Sequence, residues 1–479
     1  MKKNWLFLLI FILSFLALFW PQLALAQENT PNKFGIHIAD VSDLNMAQQL
    51  INSNGGDWGW VTIVIRKDDL NQQKWQDFMD QCREKHLIPI IRLATYLEGD
   101  SWVKPQKEDA VIWADFLGNL NWPVQNQYVV IFNEPNHAKE WGGEINPAEY
   151  AEILSEFNTK LKAKNPNFKI LNAALDLAAP NGKQTMEAGQ FLMKMKKAMP
   201  DIFEKLDGWA SHSYPNYGFI GKPSDTGKTS IRGYDWELNF LQSQLGLKKN
   251  LPIFITETGW PTGAKYETKN TRFGKRSIPI EKYLDENTAA NYLEEAFKNV
   301  WLKDQRIVAV TPFILNYPDD LFAPFSWLNH DGSPSAKFNL IQAMPKSAQW
   351  PPQENKYKIK SLSLPSFLPT QTDFKGQIIL QNTGQSIWGD PQPLVLSAAF
   401  PQELKVSSLI LGIPRKIKPG EIAKIDFEIH SGSESGEFTF TWGDLPEQKI
   451  KVLPSSIMVE AKYSLIEKIF LKAKNWLSW

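Results

Sequence analysis

The sequence predicts an α/β chain in two parts: a parallel (β/α)8 barrel of the TIM type, then a small all-β sandwich. Three observations carry this. Between about residues 34 and 344, short apolar runs alternate eight times with longer amphipathic stretches. A proline-rich break follows at Pro345, Pro351 and Pro352. Beyond it the apolar period falls from three or four residues to two. The 52 Lys and Arg cancel the 52 Asp and Glu, so no basic face for nucleic acid is expected. A hydrophobic fraction of 43% against 22% charged suits a packed globular protein rather than a disordered one. The single cysteine, Cys82, excludes an internal disulfide and any multi-cysteine metal site.

Residues 1–26 read as an export signal. Lys2 and Lys3 precede an apolar run from Trp5 to Trp20, and Ala24-Leu-Ala26 offers a small-x-small cleavage site. The run falls short of the roughly 20 residues of a spanning helix. A secreted or cell-surface location is therefore expected.

The barrel is expected over residues 30–345. Its strands are Phe34–Ala39, Val61–Ile65, Ile88–Leu93, Tyr128–Phe132, Lys169–Ala174, Leu206–Ser211, Pro252–Thr256 and Ile307–Phe313. Several are apolar without alternation, as parallel strands covered on both faces are. Helices are expected at Asn71–His86, Glu108–Leu120, Pro147–Asn165, Thr185–Met199, Arg232–Leu247 and Glu286–Lys303. In the third, Tyr150, Ile153, Leu154, Phe157 and Leu161 share one face, with Asn146 as cap and Pro147 in the first turn. An open doubly wound sheet is the alternative, but Ala39-Asp-Val41 is not a glycine-rich phosphate turn.

Residues 346–356 read as a linker. Alternating runs at Lys358–Ser363, Gly376–Gln381, Leu394–Ala398, Glu421–Ile429, Glu437–Trp442 and Gln448–Leu453 then predict a β-sandwich over 357–453. Residues 461–479 form an amphipathic pattern. Leu465, Ile466, Ile469, Phe470, Trp476 and Leu477 share one face, with lysines around it. Such a helix can dock onto a domain or lie on a membrane surface or cell wall.

Two glutamates stand out. Tyr128-Val-Val-Ile-Phe-Asn133-Glu134-Pro135 and Pro252-Ile-Phe-Ile-Thr-Glu257 each end an apolar strand in a carboxylate. A charge placed there sits at the strand's mouth, where burial needs pairing or a function. Pro135 predicts extended geometry for Glu134. By count these are strands four and seven, and the C-terminal strand ends of a barrel form its active face. Other chemistries fit poorly. Gly221 to Thr229 imitates a phosphate loop with the wrong glycine spacing, the six histidines show no i, i+4 pair for zinc, and no G-x-S-x-G elbow occurs. No metal or cofactor is expected.

Asn133-Glu134-Pro135 ending strand four, with Glu257 ending strand seven, resembles the clan A retaining glycoside hydrolases over about residues 30–345. Features are shared with families 5, 17 and 39. The resemblance implies an exported β-glycosidase acting by double displacement on a polysaccharide or oligosaccharide. Glu257 would attack the anomeric carbon, and Glu134 would serve as acid and then base. These roles require a proton on Glu134 while Glu257 is ionised. Asn133 would bind the sugar 2-hydroxyl. His212 would border the sugar, and Tyr214 would donate to the nucleophile. Arg66 is a candidate donor to Glu257, with Arg92 as its rival and Asp68 or Asp69 as an alternative partner for Arg66. His37 would line the pocket floor or fill the barrel. Trp327, Trp141 and Trp260 are candidate sugar platforms. Asn382 to Trp388, Pro419-Gly-Glu and Gly436 to Trp442 resemble the four-tryptophan immunoglobulin-like domain. Rival readings of the same barrel are a non-catalytic carbohydrate-binding or adhesion protein and a transglycosylase.

Overall fold

The computed structural model describes residues 31–271, 274–317 and 322–456. The expected export signal and the tail 461–479 lie outside the described residues. The chain divides into two compact units: residues up to Leu120 with Asn126–Pro351, and Asn121–Gln125 with Pro352 onward.

Among the described residues of the first unit, eight parallel strands alternate with eight helices. The strands are β1 (Gly35–His37), β2 (Gly59–Arg66), β3 (Leu87–Ala94), β4 (Gln127–Val130), β5 (Phe168–Leu171), β6 (Trp209–His212), β7 (Ile253–Glu257) and β8 (Ile307–Val310). The helices are α1 (Leu44–Ile51), α2 (Gln72–Glu84), α3 (Asp109–Gly118), α4 (Pro147–Lys164), α5 (Ala188–Ala198), α6 (Gly233–Ser243), α7 (Glu286–Ala296) and α8 (Ala336–Ala343). Strands β1 to β5 pair in order and parallel, as do β6 to β8. Single parallel bridges, Leu171 to Gly208 and Phe34 to Val310, join the two sheets at both seams. The pairings therefore run full circle. Gly208 suits its seam, because a Cβ there would sit 2.7 Å from the Leu171 and Phe254 side chains.

The space inside is filled. The rings of Trp60 (β2), Tyr128 (β4) and Phe254 (β7) meet with centroids 5.1 to 5.8 Å apart. Thr62 and Thr311 hydrogen-bond across the interior at 2.8 Å. Local chemistry fixes the helices. Asn71, Asn146, Glu187, Asp285 and Ser335 each accept a backbone N–H at a helix start. In α4 the buried stripe is Tyr150, Ile153, Leu154, Phe157 and Leu161, as the spacing predicts.

The structure adds elements the periodicity does not reveal. Helices α1 and α8 span only eight residues each, too short to display a repeat. A hairpin, Ala264–Thr271 with Gly274–Lys282, lies between β7 and α7. Lys346, read as the start of a linker, is buried, and its ammonium donates to the carbonyls of Ile341, Gln342 and Met344.

The second unit holds two four-stranded sheets. One pairs Tyr357–Leu362, Asp373–Asn382, Ile422–Ser431 and Leu404–Val406 in that order. The other pairs Phe367–Pro369, Gln448–Leu453, Gly436–Trp442 and Ala398–Ala399. Alternate residues of Ile422–Ser431 are buried, among them Phe427 and Ile429. Ile378, Leu380, Trp388, Phe427 and Trp442 belong to one core, with the Phe427 and Trp442 rings 4.8 Å apart.

Candidate active site

Five strand ends supply the site, all at the C-terminal edge of the ring: His37 from β1, Arg92 from β3, Asn133 and Glu134 just beyond β4, His212 and Tyr214 from β6, and Glu257 from β7. Glu257 is held on both oxygens. Arg92 Nη1 donates to Oε1 at 2.6 Å and the Tyr214 hydroxyl donates to Oε2 at 3.1 Å. The imidazole of His212 spans the two glutamates: Nδ1 lies 2.7 Å from Glu134 Oε1, and Nε2 lies 3.8 Å from Glu257 Oε1. Residues 123 positions apart in the chain thus share one cleft.

Electrostatics separate the groups. Burial pushes the Glu257 carboxyl upward, but His212, then Arg92 and His37, together with the Tyr214 hydroxyl, outweigh it and leave it below its ordinary range. For His212 burial works against the proton, yet Glu257 and the bond to Glu134 prevail and raise it. Burial, then the charges of Glu257 and Glu134, push the Tyr214 phenol well up, so it remains a donor. Burial and then Arg92 press His37 down to about 3, which keeps its ring neutral 3.9 Å from Glu257. The site therefore contains a carboxylate fixed as an anion beside a second carboxylate on a shared imidazole.

The loop after β4 is strained and braced. Pro135 predicts an extended Glu134, but its φ is +31°, in the left-handed region, and Phe132 lies at +70°. Such conformations cost about 1–3 kcal/mol each and persist only where neighbours over-determine them. The Glu134 N–H donates to Ala174 O at 3.1 Å, and its carbonyl accepts from His137 N–H at 2.9 Å. Asn136, fully buried, donates to the carbonyls of Asp176 and Met186 and accepts from the Asp176 N–H. His137 Nε2 and Asp176 Oδ2 lie 2.8 Å apart.

Four expected contacts need correction. Arg66 is exposed and pairs with Asp68, while Arg92 is the donor to Glu257. Arg66 shares the pleat face of Trp60 and Thr62, but it is paired with Ala94, two residues beyond the level of Arg92, so its guanidinium lies past the cleft and finds the acidic turn next to it. Trp141, Trp260 and Trp327 are each at most 1% exposed, so none presents a face to a sugar. Trp141 donates to Glu149 and Trp260 to Gly221 O; both anchor loops. The aromatic side chains at the cleft are others. Phe313, half-buried just beyond β8, lies edge-on to His37 at 5.1 Å. Phe325 joins it to Tyr214, and Phe219 packs against both Tyr214 and Phe325. The sequence reading also misses Glu140, which accepts from Asn133 Nδ2 at 3.2 Å. Phe313 was findable as the aromatic that ends the last apolar run; Glu140 follows no strand and carries no such signal.

No model of a known protein family matches the sequence, and no curated protein matches it. Solved structures do resemble the chain. A family 39 glycoside hydrolase from Bacteroides cellulosilyticus aligns with 84% of this chain and 81% of its own at 13% identity, TM-score 0.43. A family 39 β-xylosidase from Caulobacter crescentus covers 83% of this chain and 95% of its own at 12% identity, TM-score 0.44. A glucosidase from Croceicoccus marinus covers 85% and 97% at 10% identity, TM-score 0.47.

Proposed function

We propose that the chain is an exported retaining β-glycoside hydrolase of the clan A type, built on a (β/α)8 barrel and acting on a polysaccharide or oligosaccharide. The observation that carries the reading is the unequal treatment of two carboxylates in one cleft. Glu257 receives Arg92 and Tyr214 and is held ionised. Glu134 faces it across His212. Two contacts and one imidazole ring bound the separation within the ~9.5 Å limit of glycosidase carboxylates, a bound that admits retention (~5–5.5 Å) and inversion (~6.5–9.5 Å) alike; retention rests on the family resemblance. Glu257 attacks the anomeric carbon, and the bond to the leaving oxygen breaks as Glu134 delivers its proton. Water, deprotonated by Glu134, then releases the sugar from Glu257 with net retention. Asn133 meets the 2-hydroxyl, His37 and His212 border the ring, and Phe313 replaces Trp327 as the aromatic floor. The second unit is an immunoglobulin-like accessory domain, and residues 461–479 are an amphipathic helix for a membrane surface or cell wall.

The test is hydrolysis of a panel of aryl β-glycosides, with the anomer of the first product followed by NMR. Wild type should release the β-anomer first, and Glu257→Ala should abolish turnover of every substrate. Glu134→Ala should spare the first step for good leaving groups while slowing deglycosylation. Initial α-product would refute retention. Binding without turnover of any β-linked sugar would refute the enzyme reading.

A further inference from the structure

Glu140 takes no part in the two-carboxylate mechanism, yet it is built into the same cleft. It ends the short turn Ala138–Glu140 after β4 and is half-buried. Its Oε2 accepts from Asn133 Nδ2 at 3.2 Å, while Oδ1 of that amide accepts from Arg92 Nη1 at 2.6 Å. A primary amide has one accepting end and one donating end. A cation on the first and a carboxylate on the second fix Asn133 in one flip state. The amide's second N–H is then aimed by those two bonds. Among the described residues no lysine or arginine forms an ion pair with Glu140, although Arg92 and Lys139 stand near enough to act on its charge.

That charge is felt by its neighbours. Burial, and then the charge of Glu134, push the Glu140 carboxyl upward, and like charges act on each other reciprocally. Glu140 is faced by Asn133, Glu134 and Lys139 from its own loop and by Arg92 from β3. Glu134 is faced by His212 from β6 and by His137, itself tied to Asp176 beyond β5. A general acid must retain its proton until the leaving oxygen takes it. A nearby negative charge is the counterweight such an acid needs.

Resting on the glycosidase reading, we propose that Glu140 is a positioning residue: it orients the Asn133 amide toward the sugar, and its charge favours proton retention by Glu134.

Two variants of the full chain test this. Glu140→Gln keeps an acceptor for Asn133 but removes the charge; Glu140→Ala removes both. The readouts are the pH profile of kcat/KM on an aryl β-glycoside that wild type turns over, and a carbon-13 NMR titration of the Glu134 carboxyl assigned with Glu134→Gln. Glu140→Gln should keep KM and move the alkaline limb and the NMR midpoint down by about half a pH unit or more. Glu140→Ala should show the same shift and lose about tenfold more in kcat/KM. That extra loss should shrink on a 2-deoxy substrate. An unmoved limb and midpoint in folded Glu140→Gln would overturn the proposal while leaving the glycosidase reading intact. A moved NMR midpoint in a protein without turnover would support the charge coupling and refute the glycosidase reading instead.

Discussion

Replacing Arg92 by methionine removes the side chain that ties Glu257, the proposed nucleophile, to Asn133. Arg92 Nη1 makes two 2.6 Å bonds, one to Glu257 Oε1 and one to Asn133 Oδ1. Hydrogen bonds to charged groups contribute about 1.5–3 kcal/mol each. Breaking a buried ion pair by removing one member costs about 3–5 kcal/mol. If about 4 kcal/mol is lost in the transition state, kcat/KM falls about a thousandfold. The direction of the pH effect follows from Glu257. After His212, Arg92 is the strongest influence holding that carboxyl below its ordinary range. Without Arg92 the carboxyl ionises at higher pH, and the acidic limb of kcat/KM moves upward with it. The assay is initial-rate hydrolysis of an aryl β-glycoside across pH, with Arg66→Met as control. Arg66 lies on the surface with Asp68, a pairing worth about 0–1 kcal/mol, so its loss should leave the rate within about twofold. A fall of less than tenfold in Arg92→Met with an unmoved acidic limb, or a larger loss in Arg66→Met, would refute the assignment.

The other predictions concern the same framework. Tyr214→Phe deletes one bond to Glu257, and kcat/KM should drop about 10- to 150-fold with an unchanged thermal midpoint. Combined with Arg92→Met its effect should be less than multiplicative, because both bonds serve one carboxylate; a strictly multiplicative double variant would count against a shared role. Trp141→Ala should cost about 3–5 kcal/mol of stability in urea unfolding, since the ring is fully buried against Phe132 and Tyr150; a raised KM with full stability would restore it as a sugar platform. Burial presses Lys337 down to about 7 from an ordinary 10.5, so between those values the unfolded chain holds a proton that the native state lacks. Stability should therefore rise with pH across that window, and Lys337→Met should flatten the rise in denaturant midpoints; an unchanged slope would exclude the lysine as its source.

Strand chemistry was the most legible part of the chain. Apolar runs such as Tyr128 to Phe132 and Pro252 to Thr256 suit doubly covered parallel strands, and a glutamate at the end of each is conspicuous against them. His212 and Tyr214 close the β6 run, and it was the family resemblance that singled them out. What the sequence leaves ambiguous is register. Arg66 and Arg92 both lie near the ends of apolar strands and on the same pleat face, and only the pairing decides which one reaches the cleft; Arg92 stands level with Val64, whereas Arg66 is paired two residues further on with Ala94. Tryptophan is ambiguous for another reason. Its size makes it equally suited to a core and to a sugar face, and in Trp141, Trp260 and Trp327 the core takes the whole ring. Glu140 was invisible because its significance is a distance to Asn133, not a pattern.

The arrangement also accounts for how so buried a charge is tolerated. A carboxylate as enclosed as Glu257 would take up a proton if left alone, because desolvation disfavours the anion. Here the opposing groups arrive from separate strands: Arg92 from β3, His212 from the end of β6 and Tyr214 just beyond it. Each is fixed to a parallel strand of a ring whose interior holds Trp60, Tyr128 and Phe254. None needs to reorganise when charge develops, which is the condition under which preorganised donors act most strongly. The aromatic side chains Phe313, Phe325 and Phe219 form one cluster that reaches His37 and Tyr214. Strong attraction at Glu257 and the placing of Glu140 near Glu134 thus come from one geometry, and that asymmetry is what the proposed division of roles between two chemically identical side chains requires.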